Sequence, residues 1–155
     1  MRFADLIASE SVHMDIRSKT KEAVIKSLVK RTAAIHGLDE KPVLTAVLDR
    51  ERSLSTGVGQ GIAVPHATIK DLPKPIVALG RTKIGIDFDS IDSAPVRIVF
   101  LLLAPEGDVP LHLKMLSRIS RLCQQPTLRK ELLSASKPQA VLDALMKAET
   151  GFQDL

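Results

Sequence analysis

The stretch that organises this sequence spans Arg50 to His66 and reads RERSLSTGVGQGIAVPH. Its three glycines, Gly57, Gly59 and Gly61, alternate with single residues, and a short apolar run then leads to a proline and a histidine. Glycine lets the backbone adopt positive φ and leaves its N–H groups accessible. Successive accessible N–H groups can form a nest that binds an anion. A histidine beside such a nest indicates phosphoryl chemistry.

Two familiar glycine-rich nucleotide motifs do not fit this stretch. A P-loop requires Gly-Lys-Ser/Thr after its second glycine and then a helix, whereas Gly61 is followed by a strand-like apolar run at 62–64. A dinucleotide fingerprint has the spacing G-x-G-x-x-G before a helix, whereas Pro65 closes a G-x-G-x-G run here. Spacing alone leaves two interpretations open: a phosphate cradle, or a glycine-rich turn that feeds a strand ending in histidine.

Composition is that of an ordinary globular protein. With 155 residues, 45% of them apolar and 26% charged, the chain can bury one sizeable core, so we expect a single domain over residues 1–155. Cys123 is the only cysteine, which rules out an intrachain disulfide and a cysteine-based metal cluster. The longest apolar run, 98–104, is too short to span a membrane, and the first residues lack a signal-peptide pattern. We therefore expect a cytoplasmic protein that is not membrane-embedded.

The net charge of +4 does not indicate a nucleic-acid-binding protein. The cations are dispersed among acidic residues, and the chain has no Trp or Tyr and only four Phe. Aromatic platforms on which bases stack are therefore scarce, and we expect no nucleic-acid partner. Because no carboxylates or histidines show metal-ligand spacing, the sequence predicts neither a metal nor another cofactor.

Apolar periodicity predicts helices on both sides of a mixed β-sheet, a three-layer α/β/α sandwich. Predicted strands cover 10–16, 62–64, 76–82, 84–88 and 96–104, and predicted helices cover 18–37, 42–51, 111–123, 127–135 and 138–147. Ser18 is the expected N-cap of the first helix, and Pro42 the expected first residue of the second. The segment after His66 is expected to be a loop. His13 should lie on the face of its strand opposite the apolar residues, in a solvated or structural position.

The helix at 111–123 has a predicted buried stripe of four apolar residues, spaced three apart, which are Leu113, Leu116, Ile119 and Leu122. His112 stands in the first turn of this helix, and nothing in its separation from His66 pairs the two histidines. Arg50 ends the second helix, where it could compensate the helix dipole or pair with an acid. Arg52 is a weaker candidate for any role in binding phosphate.

The segment from Ser55 to His66 resembles the active-site signature of enzyme IIA domains of the fructose, mannitol and nitrogen-regulatory type. These domains belong to the phosphoenolpyruvate-dependent phosphotransferase system. An Arg50-Glu51 pair precedes the segment as in the family, and the segment HLKMLS, which begins at His112, matches a second family pattern. The similarity covers roughly residues 3–148, and it departs at Ala67, where many relatives carry glycine.

The resemblance implies a phosphocarrier with the α/β/α fold, in which Nε2 of His66 takes a phosphoryl group from the small phosphocarrier HPr without a metal. It requires an accessible His66 ring whose other nitrogen is fixed by a hydrogen-bond acceptor. Arg50 and His112 are expected to stabilise the phosphoryl oxygens. The backbone around the glycines is expected to bind these oxygens as well, through Thr56, Gly57, Gly59 and Gly61.

Two uses of the phosphate stay open. In a sugar-transport role it passes to a cysteine of a IIB domain and then to a sugar such as fructose or mannitol. In a regulatory role the phosphorylation state of His66 controls binding to other proteins. The 155 residues contain no IIB or membrane segment, which favours the regulatory role. A third interpretation, a protein-binding module that is not phosphorylated, requires an inert His66.

Overall fold

Across residues 2–151, the part of the chain that it describes, the computed structural model contains six strands and five α-helices. The strands are β1 (Val12–Ile16), β2 (Gly57–Gly59), β3 (Ile62–Ala63), β4 (His66–Ile69), β5 (Ile76–Ile86) and β6 (Val96–Pro105). The helices are α1 (Lys21–His36), α2 (Glu40–Ser53), α3 (Val109–Cys123), α4 (Pro126–Ser134) and α5 (Pro138–Glu149). Two short 3₁₀ helices, Phe3–Leu6 and Ser9–Ser11, precede β1.

The strands form one mixed sheet in the order β1-β5-β6-β3-β2, and β4 also pairs with β6. Strand β6 runs antiparallel to β5 and parallel to both β3 and β4. β3 and β4 follow each other along the same edge of β6, because Ile62 pairs with Ile98 and His66 pairs with Leu102. Pro65 lies in the break between them, and its carbonyl accepts a hydrogen bond from the N–H of Leu102 at 3.0 Å.

Strand β6 separates two hydrophobic cores, because its continuous apolar run places apolar side chains on both faces of the sheet. Alternate residues Ile98, Phe100 and Leu102 pack into the core that contains residues of α3, α4 and α5. The intervening side chains, among them Val99 and Leu101, pack into the core that contains residues of α1 and α2. Burying each such side chain on a strand covered on both faces contributes about 1.5–3 kcal/mol. The predicted three-layer α/β/α sandwich is confirmed.

Several predicted boundaries differ from the structure. Helix α1 begins after Thr20, whose hydroxyl oxygen accepts the N–H of Ala23, so Ser18 is not the N-cap. Helix α2 begins at Glu40, which makes Pro42 its third residue. Proline is tolerated there because the first-turn N–H groups have no intrahelical partner. The two strands predicted at 76–82 and 84–88 are one strand, β5, with an irregular register between Arg81 and Ile86.

Two further predictions were wrong in ways that affect the site. The segment after His66 forms strand β4 rather than a loop, because its backbone completes the edge of β6. In α3 the buried residues are Met115, Arg118, Ile119, Leu122 and Cys123. Leu113, predicted to be buried, is 59% exposed.

Among the described residues, no helix combines the length and the apolar character needed to cross a membrane.

Candidate functional site

The three glycines build a tight β-hairpin that leads the chain to His66. Strand β2 pairs antiparallel with β3, and Gln60 and Gly61 form the two-residue turn between them. Their φ angles are 60° and 78°, and a type I′ hairpin turn requires positive φ at both central residues. The glycines thus lie in a hairpin turn that precedes β3, and His66 does not end this strand but begins β4.

Close packing accounts for one glycine of the hairpin. A Cβ atom at Gly57 would lie 3.0 Å from Cα of Ser90 and closer still to its hydroxyl oxygen. The N–H of Gly57 donates to the hydroxyl of Ser55 at 3.0 Å, and the N–H of Thr56 donates to the carboxylate of Glu51. Two N–H groups of the expected anion nest therefore already have partners within the chain.

The imidazole of His66 is oriented by the backbone two residues before it. Nδ1 of His66 lies 2.7 Å from the carbonyl oxygen of Val64. A carbonyl oxygen can only accept, so Nδ1 carries the proton and, in the neutral ring, Nε2 carries the lone pair. The expectation that an acceptor fixes the ring is confirmed, and this acceptor leaves the lone pair of Nε2 free.

Two clefts meet at His66 and Arg50. The first, of about 230 Å³, is lined by Ala46, Arg50, His66, Ala67, Thr68 and His112. The second, of about 260 Å³, is lined by Arg50, Ser55, Thr56, Val58, Val64, His66, Leu116 and Ser120. His66 is only 9% exposed, so a reactant reaches its ring through these clefts rather than across an open surface. Either cleft greatly exceeds the ~30 Å³ that one water molecule occupies in the liquid.

The structure brings Arg50 and His112 to His66. Both line the first cleft with His66, and the centroids of the two imidazole rings are 5.3 Å apart. Nη1 of Arg50 donates to the carbonyl of Leu54 at 2.8 Å, which anchors one side of the guanidinium. Of the expected phosphate-binding set, Thr56 lines the second cleft. The remaining three members, all within the described chain, are in neither lining, and these are Gly57, Gly59 and Gly61.

The surroundings keep both histidines neutral at neutral pH. Burial lowers the pKa of His66 below its ordinary value of 6.5; the hydrogen bond to Val64 opposes this effect, and the positive charge of Arg50 adds to it. Burial, followed by the charge of Arg50, also lowers the pKa of His112. A neutral imidazole retains the lone pair that a nucleophile needs.

Glu51 is the residue of the site whose role the sequence did not reveal. It is 4% exposed, and its carboxylate accepts the N–H of Thr56 at 3.1 Å and the hydroxyl of Thr56 at 2.5 Å. Nζ of Lys21 lies 3.2 Å from the same carboxylate. The signal in the sequence was the Arg50-Glu51 pair, from which the sequence-based predictions assigned a role only to the arginine.

No group of three or more His, Cys, Asp or Glu residues in the described chain is arranged to hold a metal ion.

The family model of the phosphoenolpyruvate-dependent sugar phosphotransferase system, EIIA 2, matches residues 5–148. The chain belongs to this family. It is an EIIA-type phosphocarrier, and the glycine hairpin, His66 and the start of α3 all lie within the matched region.

Curated relatives carry two kinds of name. The chain is 37% identical to a nitrogen regulatory protein of Bradyrhizobium diazoefficiens, over 94% of this chain and 95% of that one. It is 36% identical to a fructose-specific EIIA component of Haloferax volcanii, over 88% and 89% of the two chains. It is also 37% identical to a fructose-specific EIIABC component of Bacillus subtilis, but it spans only 23% of that protein's length.

Solved structures show the same fold. The nitrogen regulatory protein IIA-Ntr from Neisseria meningitidis superposes with a TM-score of 0.86 at 27% identity, over 92% of this chain and 97% of that one. The mannitol enzyme IIA of Escherichia coli, solved in complex with phosphorylated enzyme IIB, superposes with a TM-score of 0.78 at 23% identity, over 91% and 97% of the two chains. This chain therefore has the same fold as the nitrogen-regulatory and the mannitol IIA proteins.

Proposed function

We propose that this chain carries a phosphoryl group on Nε2 of His66, accepts it from a phosphohistidine donor of the HPr type, and passes it on. The observation that carries the proposal is the 2.7 Å contact between Nδ1 of His66 and the carbonyl of Val64. It holds the ring in the tautomer whose Nε2 is nucleophilic, and the ring lines two clefts large enough for a phosphoryl group.

The transfer step needs no other reactant. The lone pair on Nε2 of His66 attacks phosphorus, a new N–P bond forms, and the N–P bond of the donor breaks with its electron pair returning to the donor imidazole. The proton on Nδ1 stays in place, so the phosphorylated ring is cationic and its N–H still donates to the carbonyl of Val64. Transfer to the acceptor reverses these steps.

Arg50 and His112 supply the charge stabilisation that such a step requires. Phosphoryl transfer depends on positioning and on stabilising the charge spread over three equatorial oxygens. The Arg50 guanidinium is anchored beside the ring, and His112 lines the same cleft. In this role the guanidinium offsets the negative charge on the phosphoryl oxygens, and the imidazole of His112 donates a hydrogen bond to one of them.

Exposed apolar side chains around the clefts suit a protein as the reaction partner. Leu113 follows His112 and is 59% exposed, Val58 lines the second cleft and is 48% exposed, and Leu54 is 69% exposed beside Arg50. Exposed apolar residues grouped around a reactive residue are typical of protein-binding surfaces. They favour a donor and an acceptor that are macromolecules over a free small phosphate.

For the use of the phosphate we propose a regulatory role of the nitrogen-related type, in which phosphorylation of His66 controls binding to another protein. The similarity to the Bradyrhizobium and Neisseria nitrogen regulatory proteins, over nearly the full length of each, supports it. A sugar-specific EIIA role, with a IIB cysteine as acceptor, is the second candidate, and the similarity to the Haloferax fructose-specific component favours it. The sequence-based alternative of an unphosphorylated binding module would require a His66 ring that cannot react.

The direct test is phosphorylation of the purified chain by phosphoenolpyruvate, enzyme I and HPr. We expect His66→Ala to abolish labelling and His36→Ala, a change at an exposed histidine in the last turn of α1, to leave it intact. Labelling of His66→Ala at the wild-type level would overturn the proposal. Adding a fructose-type IIB domain to the labelled chain separates the two uses: rapid transfer of the label supports the sugar role, and retention supports the regulatory one.

A further inference from the structure

We propose that Glu51 is a positioning residue for the phosphoryl-accepting histidine, acting with Lys21 through Thr56 and Val64. The inference rests on the proposed function of His66 and concerns how its ring is held. A continuous chain of hydrogen bonds and one ion pair connects the carboxylate on α2 to the imidazole at the start of β4.

The connection runs through the backbone of the hairpin. The carboxylate of Glu51 accepts both the N–H and the hydroxyl of Thr56. The carbonyl of Thr56 accepts the N–H of Val64 at 3.0 Å, and the carbonyl of Val64 in turn accepts Nδ1–H of His66 at 2.7 Å. A displacement of Thr56 therefore acts on Val64, the residue whose carbonyl orients the imidazole.

Burial makes the position of this carboxylate sharply defined. With Glu51 only 4% exposed, the charge has little access to water and depends on its protein donors. Those donors are the two groups of Thr56 and Nζ of Lys21, which lies 3.2 Å away. A buried carboxylate that loses one donor is left with an unsatisfied charge, so Glu51 holds Thr56 firmly.

Lys21 occupies a helix position that is explained by this ion pair. It is the first residue of α1, where the helix dipole disfavours a cation. Its ammonium contacts Glu51 at 3.2 Å and Asp89 at 3.3 Å. Desolvation acts to lower the pKa of Lys21, but the two carboxylates outweigh it and the pKa is raised. Lys21 thus stays charged beside the carboxylate of Glu51.

One turn of α2 supplies both supports of the site. Arg50 and Glu51 are adjacent in its last turn, and successive side chains on a helix point about 100° apart. Arg50 lines the clefts, whereas Glu51 faces the buried base of the hairpin. The negative charge of Glu51 also acts to raise the pKa of His66, against the larger effect of burial.

The test compares Glu51→Gln with Glu149→Gln in the full chain. Glu149 is a matched control, because it is 8% exposed, its carboxylate accepts the N–H groups of Phe3 and Ala4, and none of these residues lines either cleft. Both changes remove a buried charge that holds backbone N–H groups, so both should lower the melting temperature. We expect only Glu51→Gln to affect His66.

The specific readouts are the ¹⁵N shifts of the His66 ring, which report its tautomer and its pKa without any phosphoryl transfer, and the rate of phosphorylation by phospho-HPr. In Glu51→Gln we expect more of the Nε2–H tautomer, a lower pKa of His66, and a kcat that falls about tenfold with KM for HPr unchanged. Thr56→Val keeps the backbone contacts and should show smaller changes in the same direction.

The proposal is overturned if the ring shifts and the kcat of Glu51→Gln match those of Glu149→Gln. If Glu51→Gln does not fold, Thr56→Val decides: wild-type ring shifts and kcat in that variant also overturn it. Absence of phosphorylation in the wild-type chain would count against the proposed function of His66 instead, and the ring shifts would still test whether Glu51 positions the imidazole.

Discussion

The imidazole rings of His66 and His112 lie with their centroids 5.3 Å apart and their planes inclined by 50°. One ring begins β4 and the other stands in the first turn of α3. The N–H of Glu106 donates to the carbonyl of Ile69 at 3.0 Å and ties the end of β4 to the loop that precedes α3. The two histidines are thus held as a pair by the sheet and its neighbouring helix.

This pairing predicts distinct effects for the two histidines. His112→Ala should still accept phosphate on His66, because the nucleophile and its tautomer are unchanged. Transfer should slow by about two orders of magnitude, since loss of one positioned donor typically costs about 3 kcal/mol of transition-state stabilisation. Rapid-quench labelling measures both steps. Equal rates in His112→Ala and the wild type would show that the second ring takes no part.

Arg50→Gln should change the titration of both rings. Because the guanidinium charge acts to lower the pKa of His66 and of His112, its removal should raise both values, and phosphoryl transfer should fall about a hundredfold. Arg52→Gln is the matched control: the side chain is 62% exposed and pairs with Asp49 and Glu22. Histidine NMR titrations of the two variants test this, and equal shifts in both would contradict it.

Gly57→Ala should disturb the hairpin through crowding. The new Cβ would meet Ser90 at 3.0 Å or less, and overpacking of this kind typically costs about 1–3 kcal/mol. Gly37→Ala, in which the Cβ meets nothing within 4 Å but φ is 67°, should cost roughly 1–2 kcal/mol through backbone strain alone. Urea denaturation measures both losses. Only Gly57→Ala should also slow phosphorylation, because only Gly57 adjoins Thr56.

His13 should make the protein sensitive to acid. It is buried, and its Nε2 has no hydrogen-bond partner; desolvation, followed by the charge of Arg31, lowers its pKa from 6.5 to about 4. Between these values the unfolded chain binds the proton and the folded one does not, so stability is complete above pH 6.5 and falls as the pH drops towards 4. Burial lowers the pKa of His66 and His112 in the same direction.

The measurement for His13 is the free energy of unfolding between pH 7 and 4. His13→Leu removes both the titrating ring and the unpartnered nitrogen, so its stability should decline less steeply over that range. An equally steep decline in the variant would assign the acid sensitivity to other groups.

Short sequence patterns predicted the helices and the central strand well, but they predicted the segments around the site poorly. The apolar run of β6 and the helical spacing of Val24, Ile25, Leu28 and Val29 predicted buried elements that the structure confirms. Strand β4 was missed because His66 and the three residues after it carry no strong alternation, and pairing with β6 makes them a strand. Leu113 was misplaced since a helix can present an apolar residue beside a site rather than to the core.

The sequence by itself determined the three-layer architecture, because apolar periodicity acts over short stretches of chain, and the resemblance of its glycine segment to a known signature indicated the family and His66 as the candidate nucleophile. Only the tertiary structure decided how that histidine is held and at what distances its neighbours lie. His112 reaches it through the packing of α3 against the sheet, and the carbonyl of Val64 fixes its tautomer. Glu51 acquires its partners because folding buries a carboxylate, and a buried charge must find donors wherever the fold provides them.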